Sequence, residues 1–185
     1  MTVLLFIIWC LFCLMLADLL TGFGHWAEDT YGHLGMPEIL RALVIRDNLI
    51  HHHKPATILN GSYWERNYIS IMLAMVLTGV ALLFRMHDWR VFLVLALGSQ
   101  SNQVHMWGHM VRPPWPVKAL QRVGLLQSPR HHSMHHRSPY ACRFCTYTSI
   151  LNPVLDRVKF WRGLEAGIGW IGLQTRRGSA EREGV

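Results

Sequence analysis

The sequence predicts an all-α, multi-pass membrane helical bundle with a histidine-rich helical cap on the cytoplasmic side. Three observations predict it. Apolar residues make up 51% of the 185 residues and charged residues only 16%, whereas soluble domains carry roughly 25% charged residues. The apolar residues are concentrated in long uncharged runs, and ten of the twelve histidines fall into four clusters outside these runs. A chain of this length forms one domain.

The uncharged runs give the membrane-embedded elements in order. Residues 3–17 and 69–84 carry no charge, and a third run begins at 91–98 and turns polar at Ser99. Spanning a bilayer takes about 20 helical residues, so we predict spans at about 3–20, 67–86 and 89–110, the last with its polar half facing protein. An interfacial segment at about 163–173 makes three membrane-embedded helices, or four. The bundle then forms one domain over 1–173, followed by a disordered tail at 174–185.

The first run is expected to be a retained span rather than a signal peptide, since it has neither a preceding Lys or Arg nor a small-x-small cleavage site. Lys and Arg then set the orientation. Four of them lie in loop 22–66 and twelve after residue 111, whereas the turn between the second and third runs has only Arg85 and Arg90. The loop and the C-terminal part are therefore predicted to be cytoplasmic, in a bacterial inner membrane or the endoplasmic reticulum.

The same topology places all four histidine clusters on the cytoplasmic side and leaves only His87 outside. Imidazole is the commonest metal-binding side chain, and the four cysteines form neither a disulfide framework nor a zinc site. The clusters therefore predict a nitrogen-ligated transition-metal site with more than one ion. The net charge of +7 suits anionic headgroups, and nucleic acid is not an expected partner.

The first cluster lies at the inner end of the first span. Asp18, Gly22, His25 and Asp29 are spaced 4, 3 and 4 residues apart, so on a helix they share one face. Asp29 is one turn from His25, and it could bind metal or orient an imidazole.

The second cluster is the run His51–His53, whose three rings cannot all face one site on a regular helix. Pro55 predicts that this helix ends at Lys54. We expect two ligands and one bystander here, and this pattern does not say which.

The third and fourth clusters carry helical pairs. Asn102, His105 and His109 share one face where an apolar span would otherwise continue, and burying such groups costs several kcal/mol unless they are satisfied. In 131–136, a helix would form two adjacent i, i+4 pairs, wide enough to contact two ions.

Taken together, these motifs resemble the plasmanylethanolamine desaturase (Kua-type lipid desaturase) family. The resemblance runs from Asp18 to about Glu165. Five motifs carry it: D-x-x-x-G-x-x-HW-x-x-DT-x-G at 18–32, HH-x-x-P at 51–55, NQ-x-H-x-W-x-H at 102–109, HH-x-x-HH-x-SP at 131–139 and FWR-x-LE at 160–165.

Membership implies a membrane-bound non-haem enzyme with two iron ions, which uses O₂ and two electrons to remove two hydrogens from a lipid chain. The namesake reaction converts the 1-O-alkyl ether of a plasmanyl phospholipid into the vinyl ether of a plasmalogen. The HH-x-x-P motif selects the first two histidines of its run. The implied metal ligands are His25, His51, His52, His105, His109, His131, His132, His135 and His136, with Asp29 and Asn102 as candidate catalytic residues.

A lipid substrate implies a groove between the spans, for which Phe6, Leu73, Met75 and Leu95 are plausible neighbours. The sequence has no haem motif, iron–sulfur spacing or flavin fold. A separate electron-transfer protein of cytochrome or ferredoxin type is therefore implied as external electron donor.

Four other functions remain open for this sequence. A relative in the wider family desaturates an acyl chain of phosphatidylglycerol, and a phospholipid hydroxylase could use the same metal core. A metal transporter would place its ligands near the bilayer midplane, and a metal-dependent stress sensor would need no catalysis.

Overall fold

The computed structural model describes residues 2–176, and every regular element among them is helical. The predicted disordered tail falls mostly on 177–185, outside the described residues. The α-helices are α1 (Val3–Tyr31), α2 (Glu38–Leu40), α3 (Arg46–His53), α4 (Tyr63–Leu83), α5 (Trp89–Ser99), α6 (Ser101–His109), α7 (Trp115–Arg122), α8 (Pro129–His132), α9 (Leu151–Arg157) and α10 (Phe160–Gly169), with a π-helical turn at Arg41–Ile45 and a 3₁₀ turn at Pro55–Leu59.

Helices α1 and α4 are long and apolar enough to cross a membrane, with mean hydropathies of 2.8 and 1.6 over their best windows. The hydroxyl of Thr2 caps α1, and Ser62 and Glu65 form a reciprocal capping box at the start of α4. Large apolar side chains such as Leu4 and Val76 are exposed along both helices. Their exposure is what a lipid environment permits and water penalises.

The predicted third span is two helices rather than one, because the chain breaks helical geometry at Gln100. Helix α5 packs against α1 and α4, but its 11 residues reach only about 16 Å at 1.5 Å per residue. The buried amide of Asn67 joins α6 to α4, since its Oδ1 accepts the Gln103 N–H at 3.1 Å. The number of spans remains a prediction.

The helices that carry His51–His53 and His131–His132 are short, with 8 and 4 residues. Helix α3 ends at His53 with Lys54 as its C-cap, which confirms the boundary predicted from Pro55. The expected single helix over 131–136 is wrong, because α8 ends at His132 and turns follow. These turns send the rings of His131 and His135 in different directions, where a helix would have put both on one face.

An irregular segment, residues 142–148, lies along one face of α1. Asp18, which is fully buried, accepts the Tyr147 N–H at 2.8 Å and the Thr148 N–H at 3.0 Å. One turn further, a Cβ on Gly22 would lie 3.1 Å from Cys145 Cα, so only glycine allows this close approach. Asp18, Gly22 and His25 all contact the segment, which confirms the predicted common face.

We expect Asp18→Ala to destabilise the protein by about 2 kcal/mol or more, because it strands two buried N–H groups without acceptors. Thermal unfolding in detergent micelles would measure this. The control is Asp88→Ala, which removes a part-exposed carboxylate paired with Arg90. Equal stability losses in the two variants would contradict the assigned role of Asp18.

Candidate metal centre

Eight imidazoles and one carboxylate from distant parts of the chain converge beneath the apolar helices. They form two adjacent groups, within each of which the candidate ligand atoms lie within 4.8 Å of one another. The five-histidine group comprises His51, His105, His109, His132 and His136, and the aspartate group comprises His25, Asp29, His52 and His135.

The five-histidine group has His105 at its middle. Its Nε2 lies 3.2 Å from that of His51, 2.8 Å from that of His132 and 3.3 Å from that of His109. His136 joins through a 3.0 Å Nε2–Nε2 contact with His132. A neutral ring carries only one N–H, so these convergent nitrogens cannot all satisfy one another by hydrogen bonds.

The aspartate group surrounds the carboxylate of Asp29, whose side chain is 1% exposed. Its Oδ1 lies 2.8 Å from His52 Nε2, and its Oδ2 lies 3.2 Å from His135 Nε2 and 3.4 Å from His25 Nε2. The side-chain amide of Asn48 also donates to Oδ1 at 2.7 Å. Three rings and one carboxylate thus face a common point.

Residues that are adjacent in the sequence belong to different ligand groups. His51 belongs to one group and His52 to the other, and His135 and His136 divide in the same way. The rings of His52 and His136 have centroids 5.0 Å apart. The structure is therefore suited to two ions side by side.

Backbone carbonyls of residues 142–148 fix two of the rings. His25 Nδ1 lies 2.9 Å from the Phe144 oxygen, and His135 Nδ1 lies 2.8 Å from the Cys142 oxygen. A carbonyl only accepts, so each Nδ1 carries the proton and each Nε2 keeps its lone pair for a metal. Both Nε2 atoms are buried without a hydrogen-bond partner.

The donor set therefore fits metal ions. His52 Nε2 and Asp29 Oδ2 are also buried and lack hydrogen-bond partners, and burying such atoms unsatisfied costs several kcal/mol. Nitrogens about 3 Å apart are typical of ligands that share one ion with bonds of about 2.0–2.1 Å. Coordination would satisfy these atoms, which face one another closely without forming hydrogen bonds of acceptable geometry.

Burial also favours the neutral form of His51, His132 and His136, which is the form that binds metal. Burial, and then the neighbouring imidazoles led by His109, lowers the pKa of His51 to about 2. Burial, and then repulsion among the clustered imidazoles if they were protonated, lowers the pKa of His132 well below its usual value and also lowers that of His136.

Two predicted site residues lie outside both groups. The His131 ring contacts Arg143 Nη1 at 2.8 Å and Asn152 Nδ2 at 3.2 Å, and it belongs to neither group. Asn102 donates to the Arg66 carbonyl at 3.0 Å, so its catalytic role stays a prediction. His53 is exposed.

The sequence did not reveal which residues form hydrogen bonds to the candidate ligands and orient them. Asn48 lies in no histidine motif, and the Cys142 and Phe144 carbonyls have no side-chain signature at all. One signal was available: Asn48 precedes His51 and His52 by about one helical turn, so it shares their side of the helix.

A cavity of about 740 Å³ adjoins the centre. His25, His51 and His105 line it at one side, and Leu73, Leu77 and Leu95 line its apolar part between α1, α4 and α5. Two of the four predicted groove neighbours, Leu73 and Leu95, are lining residues. Phe6 instead stacks on Trp89, and Met75 is 68% exposed.

The fold and the site together define a class: a helical, histidine-rich protein whose described residues include two helices apolar enough for a membrane and buried groups that could hold metal ions. The profile of the lipid desaturase domain matches residues 14–177. The chain therefore belongs to the lipid desaturase family, as its motifs predicted.

Alignments with relatives cover most of this chain. It is 35% identical over 170 residues to plasmanylethanolamine desaturase of Myxococcus xanthus, covering 87% of this chain and 60% of that protein. It is 32% identical to plasmanylethanolamine desaturase 1 of Mus musculus, covering 82% and 60%, and 33% identical to chloroplastic fatty acid desaturase 4 of Arabidopsis thaliana, covering 82% and 48%. The chain spans about 60% of the length of the first two relatives. No solved structure matches.

Elemental analysis of the purified protein should find two metal ions per chain. We expect His52→Ala to lower the content to about one, because the aspartate group loses one of its three imidazoles. His53→Ala is the matched control, since it removes the exposed neighbour. Full metal retention by His52→Ala would contradict the assignment of this ring.

The metal-free protein should lose stability on acidification. The pKa of His51 is about 2 when folded and about 6.5 when unfolded, so below about pH 6.5 the unfolded state binds more protons and the free energy of unfolding falls. Thermal unfolding between about pH 7.5 and 5 would measure this slope.

His51→Gln should make that slope shallower, and His53→Ala should leave it unchanged. A metal-free protein whose melting temperature is independent of pH across this range would contradict burial of neutral imidazoles.

Proposed function

We propose that this chain is a membrane-bound, O₂-dependent lipid desaturase with two non-haem iron ions. Its preferred reaction is conversion of a plasmanyl to a plasmenyl phospholipid, which forms a vinyl ether. One observation carries the proposal: the two ligand groups adjoin a cavity whose other part is apolar and lies between candidate membrane helices. Such a cavity suits a lipid chain held beside the metals.

The donor set supports iron. Imidazole and carboxylate suit non-haem iron, and the rings of His51, His105, His109, His132 and His136 would hold one ion, with His25, Asp29, His52 and His135 holding the other. Bound iron would supply the activation of dioxygen that removal of hydrogen from an alkyl chain requires. His131 is left out of this set because its ring contacts Arg143 and Asn152.

The protein's own residues orient the rings and exclude water. The carbonyls of Cys142 and Phe144 hold the His135 and His25 rings in one tautomer. Leucines such as Leu73 and Leu95 exclude water from the apolar part of the cavity and position a chain by contact alone. Asp29 would both balance the charge of its ion and orient the rings around it.

The topology proposed from Lys and Arg supports a substrate taken from the inner leaflet. In that arrangement the protein is multi-pass, the polar side of the cavity faces the cytoplasmic surface and the apolar part extends into the bilayer. The substrate then enters laterally without leaving the membrane.

An acyl-chain desaturase is the second candidate. The likeness to a protein named fatty acid desaturase 4 favours it, and the same cavity would accept an ester-linked chain.

Hydroxylation is distinguished by its product, which retains an oxygen atom. Transport is disfavoured, because both ligand groups lie at one side of the fold rather than along a path through it.

Lipid mass spectrometry after expression in a plasmalogen-free host, supplied with alkyl-ether lipid, tests the function. We expect an acid-labile product two mass units lighter than the substrate. His109→Ala and His135→Ala should abolish it because each removes a ligand from one group, and Asp29→Ala should impair it severely.

The matched control is His53→Ala, which should keep its activity. All variants should still insert in the membrane. Product formation by His109→Ala or His135→Ala would count against the assigned centre, and a double bond in an acyl chain alone would favour the second candidate.

A further inference from the structure

The C-terminal part of the described chain, residues 110–176, is strongly cationic. Residues 110–176 contain ten Lys and Arg against two acids, Asp156 and Glu165. Four of the exposed cations, Lys118, Arg130, Arg137 and Arg157, lie on surfaces of two kinds, which differ in the residues around them.

The first kind mixes cations with large exposed apolar side chains. Around Lys118, the exposed neighbours in sequence include Trp115 at 77% and Val123 at 67%; around Arg157 they include Val154 at 58% and Val158 at 65%. Cations interleaved with exposed aromatic and apolar residues are typical of a membrane interface.

The second kind is the 130–137 surface, defined as Arg130, Ser133, Met134 and Arg137. All four residues are exposed, and Met134 at 38% is the one large hydrophobic among them. Within residues 2–176, neither guanidinium of this surface forms an ion pair. The surface is therefore polar and cationic, without the apolar anchors that a bilayer interface uses.

The 130–137 surface is the outer side of the segment that carries His132, His135 and His136. Arg137 directly follows His136, whose Nε2 lies 3.0 Å from His132 Nε2. The inner side of this short segment contributes to both ligand groups. Only this short segment would then separate a partner docked on its outer side from the two ligand groups.

We propose that the 130–137 surface is the docking site of an acidic one-electron carrier protein. This inference rests on the proposed function, which needs electrons from outside: two hydrogens leave the lipid with two electrons, and the carrier supplies two more. Together with two protons from water, these four electrons reduce O₂ to two molecules of water while a carbon–carbon double bond forms. Opposite charge steers such encounters and sets their specificity, and small polar contacts are typical of transient redox complexes.

The test measures binding of two acidic carriers, a [2Fe–2S] ferredoxin and the soluble domain of cytochrome b5, to the full chain in phosphatidylcholine nanodiscs. The double variant Arg130→Glu/Arg137→Glu should raise the Kd of the preferred carrier at least about tenfold at low salt, by replacing attraction with repulsion. The matched control Lys118→Glu/Arg157→Glu makes the same charge change on the first kind of surface, and it should change the Kd less than about twofold. The affinity of the unsubstituted chain should fall with rising salt.

Equal weakening of carrier binding in both double variants would overturn the proposal, because the net charge of the protein alone would then explain the binding. Failure of the unsubstituted chain to bind either carrier would overturn it as well. So would a double variant Arg130→Glu/Arg137→Glu that binds the carrier normally and differs from the unsubstituted chain only in its thermal stability in nanodiscs of anionic lipid. Metal content of each variant is measured in parallel to confirm that the centre is intact. Failure of the proposed function is distinguishable, since the unsubstituted chain would then bind the carrier without making any desaturated lipid.

Discussion

The contact between Asp18 and the backbone of Tyr147 and Thr148 is the constraint on which the rest of the site depends. It holds residues 142–148 against α1 in one register, with Gly22 allowing Cys145 to approach the helix. That register brings the Phe144 carbonyl to His25, and the same segment brings the Cys142 carbonyl to His135. A side chain outside both ligand groups thereby sets the tautomer and direction of two proposed ligands.

The centre itself opposes folding in the absence of metal. Buried nitrogens and a carboxylate oxygen lack hydrogen-bond partners among the described residues, and burial lowers the pKa of His51 and His132 so that protonation cannot satisfy them. The surrounding packing must therefore hold these groups together. Trp26, Phe144 and Trp161 provide such packing beside the aspartate group, and the Trp26 indole donates to Glu165 at 2.9 Å. This explains physically why the HW and FWR-x-LE motifs occur in the same chain as the histidines.

Much of this arrangement follows from local patterns in the sequence. Helical spacing predicted the common face of Asp18, Gly22 and His25, Pro55 predicted the end of α3, and the motif set predicted the family. The family motif also selected His51 and His52, the two buried members of their run. The sequence could not reveal what depends on tertiary contact: the break at Gln100, the early end of α8, and the carbonyls that orient the rings. His131 illustrates the limit, because its spacing matches that of its neighbours while its ring contacts Arg143 and Asn152.

In the proposed centre, two metal ions would lie side by side, one in each ligand group. An anomalous-difference map recorded at the iron absorption edge, from crystals of the purified protein in lipid, tests it most directly. We expect two peaks, one among His51, His105, His109, His132 and His136 and one beside Asp29. A map with no iron peak in either group, or with iron bound only at surface histidines such as His53, would contradict it.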